Sequence, residues 1–157
     1  SGLATRRFCF EAFLPSDKKE KQWILEELKR ETRTIIIYEA PHRLVRALGE
    51  LREALGNRRI TICRELTKRY ETAFQTKFED ALAAYETEDP RGECVIVIEG
   101  KSIGEIKEER MKSFEEMSLE EHMDLYEKQG IERKEAMRMV AKDRGISKRD
   151  VYQQLMK

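Results

Sequence analysis

One short segment combines residue types that general acid–base chemistry and anion binding require. His42 and Arg43 follow Glu39, Ala40 and Pro41, directly after an isoleucine run. An imidazole titrates near neutral pH and can act as a base, and a guanidinium can clamp an anion. Ligand sites in open α/β sheets gather where strands end, as this run does. The alternative is a histidine that only forms local hydrogen bonds at a helix start, and these residues alone do not distinguish the two roles.

A second set of polar groups follows the apolar run 60–63. Arg64, Glu65 and Leu66 come directly after it, and Gly92 and Glu93 stand just before the next apolar run. A glycine there permits a ligand to approach the backbone closely. An Arg64–Glu65 ion pair is the alternative to ligand binding. The sequence contains no Walker loop, dinucleotide fingerprint, nucleophile elbow or metal-ligand cluster, so these segments name no reaction by themselves.

The elements that would position these groups alternate between strand and helix patterns. The order β-α-β-α-β-β-α-β, with short connections, predicts an α/β domain built on a mixed five-stranded sheet with flanking helices in three layers. Residues 60–76 are expected to supply the antiparallel pair. The apolar run 34–38 predicts a central strand that is covered on both faces. The predicted strands are 7–13, 34–38, 60–63, 70–76 and 94–99, and the predicted helices begin near 17, 41 and 78.

Composition divides the 157 residues into three parts. Residues 1–100 are the predicted α/β domain, 101–117 a linker with some helix, and 118–157 a small helical unit with a helix-turn-helix pattern. Hydrophobic and charged residues each make up 39% of the chain, but the apolar runs 35–37 and 95–98 can fill a core, so disorder along the whole chain is not expected. No apolar run approaches the ~18 residues that span a bilayer, so no membrane contact is expected. Three cysteines without a Cys-x-x-Cys spacing predict free thiols in a reducing cytoplasm.

Charge is unevenly distributed along the helical part. The whole chain has a net charge of zero, yet residues 131–157 contain eight basic and four acidic residues, a net charge of +4. Basic helices in a small helical unit favour nucleic acid as a partner. The alternatives are a merely solvated face, a tail that packs back on the α/β domain, and a tail that forms a homodimer contact.

Four motifs occur in an order that is more specific than any one of them. They are R-F-C-F-E-A-F-L-P from Arg7, I-I-I-Y-E-A-P-H-R-L from Ile35, C-R-E-L-T-K from Cys63 and R-G-E-C-V-I-V-I-E-G from Arg91. With the opening Ser-Gly-Leu, they resemble the C-terminal half of the ribosomal RNA small subunit methyltransferase I family, within the tetrapyrrole methylase superfamily. The tail's R-K-E-A-M and G-I-S-K-R-D-V-Y resemble the helix-turn-helix extension of that family.

This resemblance implies an S-adenosylmethionine-dependent 2′-O-methylation of a cytidine ribose in 16S rRNA of the small ribosomal subunit. No metal is expected, because the sequence contains no metal-ligand cluster. It implies that a preceding N-terminal domain carries glycine-rich donor loops, so this chain alone is expected to be inactive. It leaves the catalytic base unassigned. The rival interpretations are a corrin or porphyrin methyltransferase domain and a non-catalytic nucleic-acid-binding module, and the basic tail favours RNA over a tetrapyrrole.

The resemblance also implies which residues would meet the donor and the RNA. Three strand-edge segments would hold the adenine end of the donor: Phe13 and Leu14; Arg64, Glu65 and Leu66; and Gly92, Glu93 and Cys94. The 38–43 loop would border the cleft, and the basic tail would meet phosphates. The residues implied to contact RNA are His42, Arg43, Arg133, Lys134, Lys148 and Arg149.

Overall fold

The computed structural model describes residues 1–156 and consists of two compact units, Ser1–Ser102 and a second that begins at Ile103. A helix at Ile103–Glu116 occupies most of the segment 101–117 that the sequence assigned to a linker, and it belongs to the second unit. The last residue of the predicted tail, Lys157, lies outside the described residues.

The first unit contains eight elements in the predicted order. Asp17 caps the first helix, because its Oδ1 accepts hydrogen bonds from the backbone N–H groups of Lys19 and Glu20 at 3.0 and 2.9 Å. Pro41 is the first residue of the second helix, where its missing N–H costs nothing. The strands are β1 (Phe8–Phe13), β2 (Thr34–Glu39), β3 (Arg59–Arg64), β4 (Thr72–Lys77) and β5 (Cys94–Ile98), and the helices are α1 (Lys18–Leu28), α2 (Pro41–Leu55) and α3 (Phe78–Ala84).

The five strands form one mixed sheet in the order β1-β2-β5-β3-β4. β1 and β2 are parallel, and every other neighbouring pair is antiparallel. The mixed five-stranded sheet and the antiparallel β3–β4 pair are therefore confirmed. β5 comes last in this unit but lies in the centre of the sheet. No local pattern signals this position, because its two partners are strands about 60 and 35 residues earlier in the chain.

The core lies on one face of the sheet. Ile35 of β2, Ile98 of β5 and Ile60 of β3 are aligned across the three strands, and Ile37, Ile96 and Ile62 form the next row. All six are buried, and residues of α1, α2 and α3 pack into the same cluster. Since all three helices of this unit cover one face, the predicted three-layer arrangement is wrong for this unit, which has two layers.

The other face of the sheet is only partly covered. The buried hydroxyls of Thr34 and Thr61 each donate a 2.6 Å hydrogen bond to a backbone carbonyl, that of Ala4 and that of Ser1 respectively, so the first four residues lie across one end of this face. At the other end Tyr38 is 40% exposed and contacts the ring of Phe10 edge-on. The prediction that β2 is covered on both faces is therefore wrong. An all-apolar strand does not reveal whether its second face has a covering layer.

Within residues 103–156 the second unit is a bundle of four helices, α4 (Ile103–Glu116), α5 (Leu119–Glu127), α6 (Arg133–Arg144) and α7 (Lys148–Leu155). The capping boxes at Ser118 and Ser147 are both present, with Glu121 and Asp150 as their reciprocal partners. Gly145 ends α6 in a left-handed conformation. Helices α5, α6 and α7 share one apolar core: Leu119, Met123, Tyr126, Ala136, Val140, Ala141 and Val151.

A histidine lies at the centre of this bundle. His122 is fully buried, and its ring stacks on that of Phe114 with a centroid distance of 4.0 Å. Its Nδ1 accepts a 3.1 Å hydrogen bond from Nε of Arg144, which also donates to the carbonyls at positions 117 and 118. Its Nε2 lies 3.5 Å from Oδ2 of Asp143, which accepts a hydrogen bond from Tyr126. A neutral imidazole fits these contacts, because Nδ1 must carry a lone pair to accept from Arg144.

This arrangement predicts that acid destabilises the second unit. Burial, and then the positive charges of Arg144 and Arg110, lower the pKa of His122 below its usual 6.5, and Asp143 only partly offsets them. The unfolded chain therefore binds a proton that the folded chain excludes, so stability is complete above about pH 6.5 and is lost as the pH falls below it. Urea unfolding followed by circular dichroism, from about pH 7 to about pH 5, should show this loss.

Two variants test the assignment. His122→Gln keeps an acceptor for Arg144 but does not titrate, so its unfolding free energy should vary less with pH than that of the unchanged chain. His42→Gln removes the other histidine of the chain, which is exposed, and should retain the full dependence. An unchanged pH dependence in His122→Gln would show that another group is responsible.

Candidate functional site

The segments that the sequence singled out converge on one edge of the sheet. β1, β2 and β3 all run in the same direction, and β5 runs against them, so three strand ends and one strand start meet there. The register aligns Phe13 with Tyr38, and Cys94 with both Glu39 and Arg64. We call this the ligand edge: residues 13–14, 39–43, 64–66 and 92–94.

Unusual backbone conformations concentrate at the ligand edge. Among residues 1–156, three non-glycine residues have a left-handed backbone: Ala12, Glu65 and Thr67, with φ of 52°, 50° and 65°. Ala12 lies in an irregularity of the β1–β2 pairing, directly before Phe13. Each such residue costs of order 1 kcal/mol or more and persists only where surrounding contacts impose it. All three lie within two residues of the ligand edge, and strain of this kind is typical of binding sites.

A polar junction ties the end of β3 to the start of β5. The backbone N–H of Glu65 donates to the carbonyl of Glu93 at 3.0 Å, and the N–H of Glu93 donates to Glu65 Oε1 at 2.9 Å. Lys68 bonds Glu93 Oε2 at 2.8 Å and lowers the pKa of that carboxyl. Arg64 instead donates to Oγ1 of Thr72, so the side chains of Arg64 and Glu65 have different partners.

The eight residues implied to hold the donor differ in what they expose. Leu14 and Cys94 are buried members of the core, so only their backbone groups can serve a ligand. Burial raises the pKa of the Cys94 thiol, which donates to the carbonyl of Gly92 at 3.3 Å. Phe13 and Leu66 are 57% and 41% exposed and offer apolar surface. The edge thus combines backbone hydrogen-bonding groups with apolar side chains, a combination that suits a flat heterocycle such as adenine.

The two residues predicted in the 38–43 loop have different environments. His42 is exposed in the first turn of α2. Arg43 is held by two contacts, one from its Nε to Glu39 Oε1 at 3.2 Å and one from its Nη2 to the carbonyl of Leu14 at 3.1 Å. The carboxylate of Glu39 is buried. Because Arg43 contacts both this carboxylate and the carbonyl of Leu14, it links the ends of β1 and β2. Sequence reasoning missed the role of Glu39, although its spacing of four residues from Arg43 is a signal for such a pair.

The four basic residues predicted in the tail lie at two successive helix starts. Arg133 and Lys134 open α6, and Lys148 and Arg149 open α7 directly after its cap. All four are exposed, and Arg133 lies 3.1 Å from Glu127. Arg144 belongs instead to the buried histidine network.

Two classes of site find no support in the described chain. No helix within residues 1–156 combines the length and hydrophobicity that a membrane crossing requires. The same residues contain no group of three or more His, Cys, Asp or Glu side chains arranged to hold a metal ion.

Comparison with known families identifies the class of protein. The family model of the tetrapyrrole (corrin/porphyrin) methylases matches residues 3–82, about half of the chain. The chain belongs to this family of methyltransferases. The crystal structure of the methyltransferase CobJ aligns with 62% of this chain and 44% of that chain, at 24% identity and a TM-score of 0.39.

Individual relatives are more similar. The chain is 41% identical over 152 residues to a protein of Halalkalibacterium halodurans, 40% identical over 152 residues to one of Bacillus subtilis, and 38% identical over 154 residues to one of Synechocystis. Each is named ribosomal RNA small subunit methyltransferase I. These alignments cover 97–98% of this chain but only 52–53% of each relative, so the chain spans about half the length of the curated relatives it matches.

The polar junction predicts an unusually damaging glycine substitution. Gly92 and Gly56 both have a positive φ, of 76° and 80°, which side-chain-bearing residues rarely adopt. A Cβ on Gly92 would come within 2.6 Å of Glu65 Cγ, whereas nothing lies within 4 Å of a Cβ on Gly56. Gly56→Ala should therefore cost only the backbone penalty of such a conformation, about 1–3 kcal/mol. Gly92→Ala should cost more, because Glu65 must also move and lose its bond to Glu93.

Urea denaturation of the two variants measures the difference within one unit of the fold. The crowding is relieved by Glu65→Ala, so the double variant should recover part of the extra loss. Equal destabilisation by the two glycine substitutions would contradict a tight Glu65–Gly92 contact.

Proposed function

We propose that this chain forms the adenine-side and RNA-contacting half of an S-adenosylmethionine-dependent 16S rRNA (cytidine-2′-O-)-methyltransferase. The observation that carries the proposal is the convergence of the three donor segments on one strained sheet edge, in a chain of a methylase family. The names of relatives at 38–41% identity support ribosomal RNA as the class of substrate. The remaining half of the relatives' length would supply the opposite side of the donor cleft.

In this proposal the ligand edge binds the adenine end of the donor. Backbone groups at 13–14, 64–66 and 92–94 make the polar contacts, apart from the N–H groups of Glu65 and Glu93, which already donate within the edge. The exposed faces of Phe13 and Leu66 pack against the heterocycle. The donor supplies an activated sulfonium methyl, so the protein's task is to align this methyl with the ribose oxygen. The strained and hydrogen-bonded backbone of the edge suits this task, because it keeps the contacts in place before the donor binds.

The acceptor side of the proposal rests on the exposed polar residues. His42 borders the edge and is assigned to the RNA, whereas the contacts of Arg43 give it a role in holding the 38–43 loop. Arg133, Lys134, Lys148 and Arg149 meet phosphates of the small-subunit RNA in the cytoplasm. A homodimer contact through the tail is the competing role for these four residues, and a corrin or porphyrin substrate is the competing substrate.

Donor binding provides the first test. A chimaera that joins this chain to the unmatched half of the Bacillus subtilis relative would be titrated calorimetrically with S-adenosylmethionine. Leu66→Asp should weaken donor binding at least about tenfold, because a carboxylate in an apolar adenine pocket must be desolvated. Thermal stability should hardly change, since Leu66 is 41% exposed.

Leu125→Asp is the matched control, because Leu125 is 37% exposed and lies on α5 of the other unit. It should leave donor affinity unchanged. Unaltered affinity together with a collapse of thermal stability in Leu66→Asp would show that Leu66 is structural and would remove it from the donor site.

The salt dependence of RNA binding provides the second test. Four substitutions to Gln in the tail keep side-chain length but remove four charges, so fewer counterions are released on binding. The slope of log affinity against log salt should flatten by up to about 3 for single-stranded RNA. The substituted residues are Arg133, Lys134, Lys148 and Arg149.

An equal charge change elsewhere serves as the control. Substituting four exposed basic residues on and after α1 by Gln should leave the slope nearly unchanged. If instead the tail variant keeps its affinity and slope, the charges of the tail are merely solvated, and the physical argument for RNA over a tetrapyrrole fails. The control residues are Lys18, Lys19, Lys29 and Arg30.

A further inference from the structure

The connection between β3 and β4 carries an exposed aromatic–cation pair beside the ligand edge. We call residues 65–71 the β3–β4 loop. Tyr70 is 73% exposed, more than any other large apolar side chain of the described residues. The guanidinium carbon of Arg69 lies 5.6 Å from the centroid of the Tyr70 ring, within the range of a cation–π contact. Neither side chain belongs to a hydrophobic core cluster.

The loop itself is held in one conformation. The N–H of Lys68 donates to the carbonyl of Glu65 at 2.9 Å, and the N–H of Thr67 donates to Glu71 Oε2 at 2.7 Å. The bonds from Lys68 to Glu93 and Glu65 tie the loop to the start of β5. A loop with its backbone fixed in this way loses little entropy when a ligand binds. Its two exposed side chains are therefore displayed on a preorganised support.

The charges of the loop are not equivalent. Lys68 forms ion pairs with two carboxylates, so its charge is largely neutralised within the fold. Arg69 forms no such pair among the described residues and is instead stacked on a neutral ring, which orients its planar fork without cancelling its charge. Arg91, also exposed, directly precedes Gly92, which abuts Glu65. The Tyr70 ring thus stands beside a guanidinium that no carboxylate of the described residues neutralises, and Arg91 adds a second exposed guanidinium directly before Gly92 in the chain.

We propose that the β3–β4 loop is a contact for unpaired acceptor RNA, in which Tyr70 stacks on a base and Arg69 bonds an adjacent phosphate. The inference rests on the proposed function, because it assumes an RNA substrate. Every base offers a π face, and proteins that bind single-stranded RNA use aromatic rings and arginine planes for this purpose. The loop leaves the ligand edge at Leu66, so a strand that stacks on Tyr70 is brought to the side of the molecule where methyl transfer would occur.

Fluorescence anisotropy with the whole 157-residue chain tests the loop. The probe is a fluorescein-labelled, unpaired oligocytidine of roughly 12 nucleotides. Tyr70→Leu keeps an apolar side chain but removes the π face, and it should weaken binding about tenfold. Tyr70→Phe keeps the ring and should bind as the unchanged chain does. Arg69→Gln should flatten the salt slope by about 0.7, the value for one phosphate contact to a single strand.

Trp23→Leu is the matched control. Trp23 is 63% exposed on α1 and belongs neither to the β3–β4 loop nor to the ligand edge, so its replacement should leave the affinity unchanged. Each loop variant is also measured in the background of the four tail substitutions, where the loop should supply a larger share of the remaining affinity. Circular dichroism melts should be unaltered, because Tyr70 packs against no core residue.

The outcomes distinguish RNA binding by the β3–β4 loop from RNA binding by the tail. If Tyr70→Leu binds oligocytidine as tightly as the unchanged chain in both backgrounds, the loop proposal is overturned, and RNA binding by the tail is judged on its own salt slope. If Tyr70→Phe weakens binding as much as Tyr70→Leu, the hydroxyl rather than the ring is responsible, which also overturns it. If the unchanged chain binds no RNA, the loop falls together with the RNA part of the proposed function.

Discussion

The antiparallel pairing of β5 with both β2 and β3 is the constraint on which the first unit depends. It aligns two rows of isoleucines across three strands, and the helices pack on these rows. Because side chains alternate along a strand, a slip of one residue would turn Ile96 and Ile98 to the opposite face and leave the core unfilled. The same register places Cys94 between Glu39 and Arg64, so the pairing that fills the core also assembles the ligand edge. Stability and site geometry therefore share one cause.

With all three helices on one face, the opposite face has a different role. Two buried threonine hydroxyls hold the first residues of the chain against it, while the rings of Phe10, Phe13 and Tyr38 stay partly open to solvent. Phe13 belongs both to this aromatic cluster and to the ligand edge. The irregular pairing at Ala12 turns the end of β1 and brings Phe13 next to Tyr38. Local strain in one residue thus connects the open face of the sheet with the proposed donor site.

In this protein the partner of each charged side chain says more about its role than the total number of charges does. With 31 basic and 31 acidic residues, a count says little about partners. Many charges are committed to the fold: Arg43 to the buried Glu39, Lys68 to Glu93, and Arg144 to His122 and two carbonyls. Such contacts occupy the donors of these cations, so these cations are less available to a phosphate. The RNA proposals rest on Arg69 and on the exposed cations at the tail's helix starts, of which Arg133 also pairs with Glu127.

Much of the local structure was predictable because its determinants lie close together in the chain. Period-two and helical patterns located the strands and helices, Asp17 and the two serine capping boxes marked helix starts, and four ordered motifs indicated the family. The candidate donor segments were also placed at strand ends from the sequence, through that resemblance. The inferences about strands, helices and caps use residues within about ten positions of one another, which is the range over which backbone geometry and capping act. The family and the donor segments instead came from the order of four motifs between Arg7 and Gly100.

What the sequence left undetermined depends on contacts between distant residues. The central position of β5, the two-layer packing, the Glu65–Gly92–Glu93 junction and the burial of Glu39 under Arg43 were decided only by the tertiary structure. Position 92 reads as a turn glycine, and only the approach of Glu65 from 27 residues earlier shows why a side chain is excluded there. The patterns of single strands specify which faces are apolar, but the choice among strand neighbours follows from how all the apolar faces can be buried together.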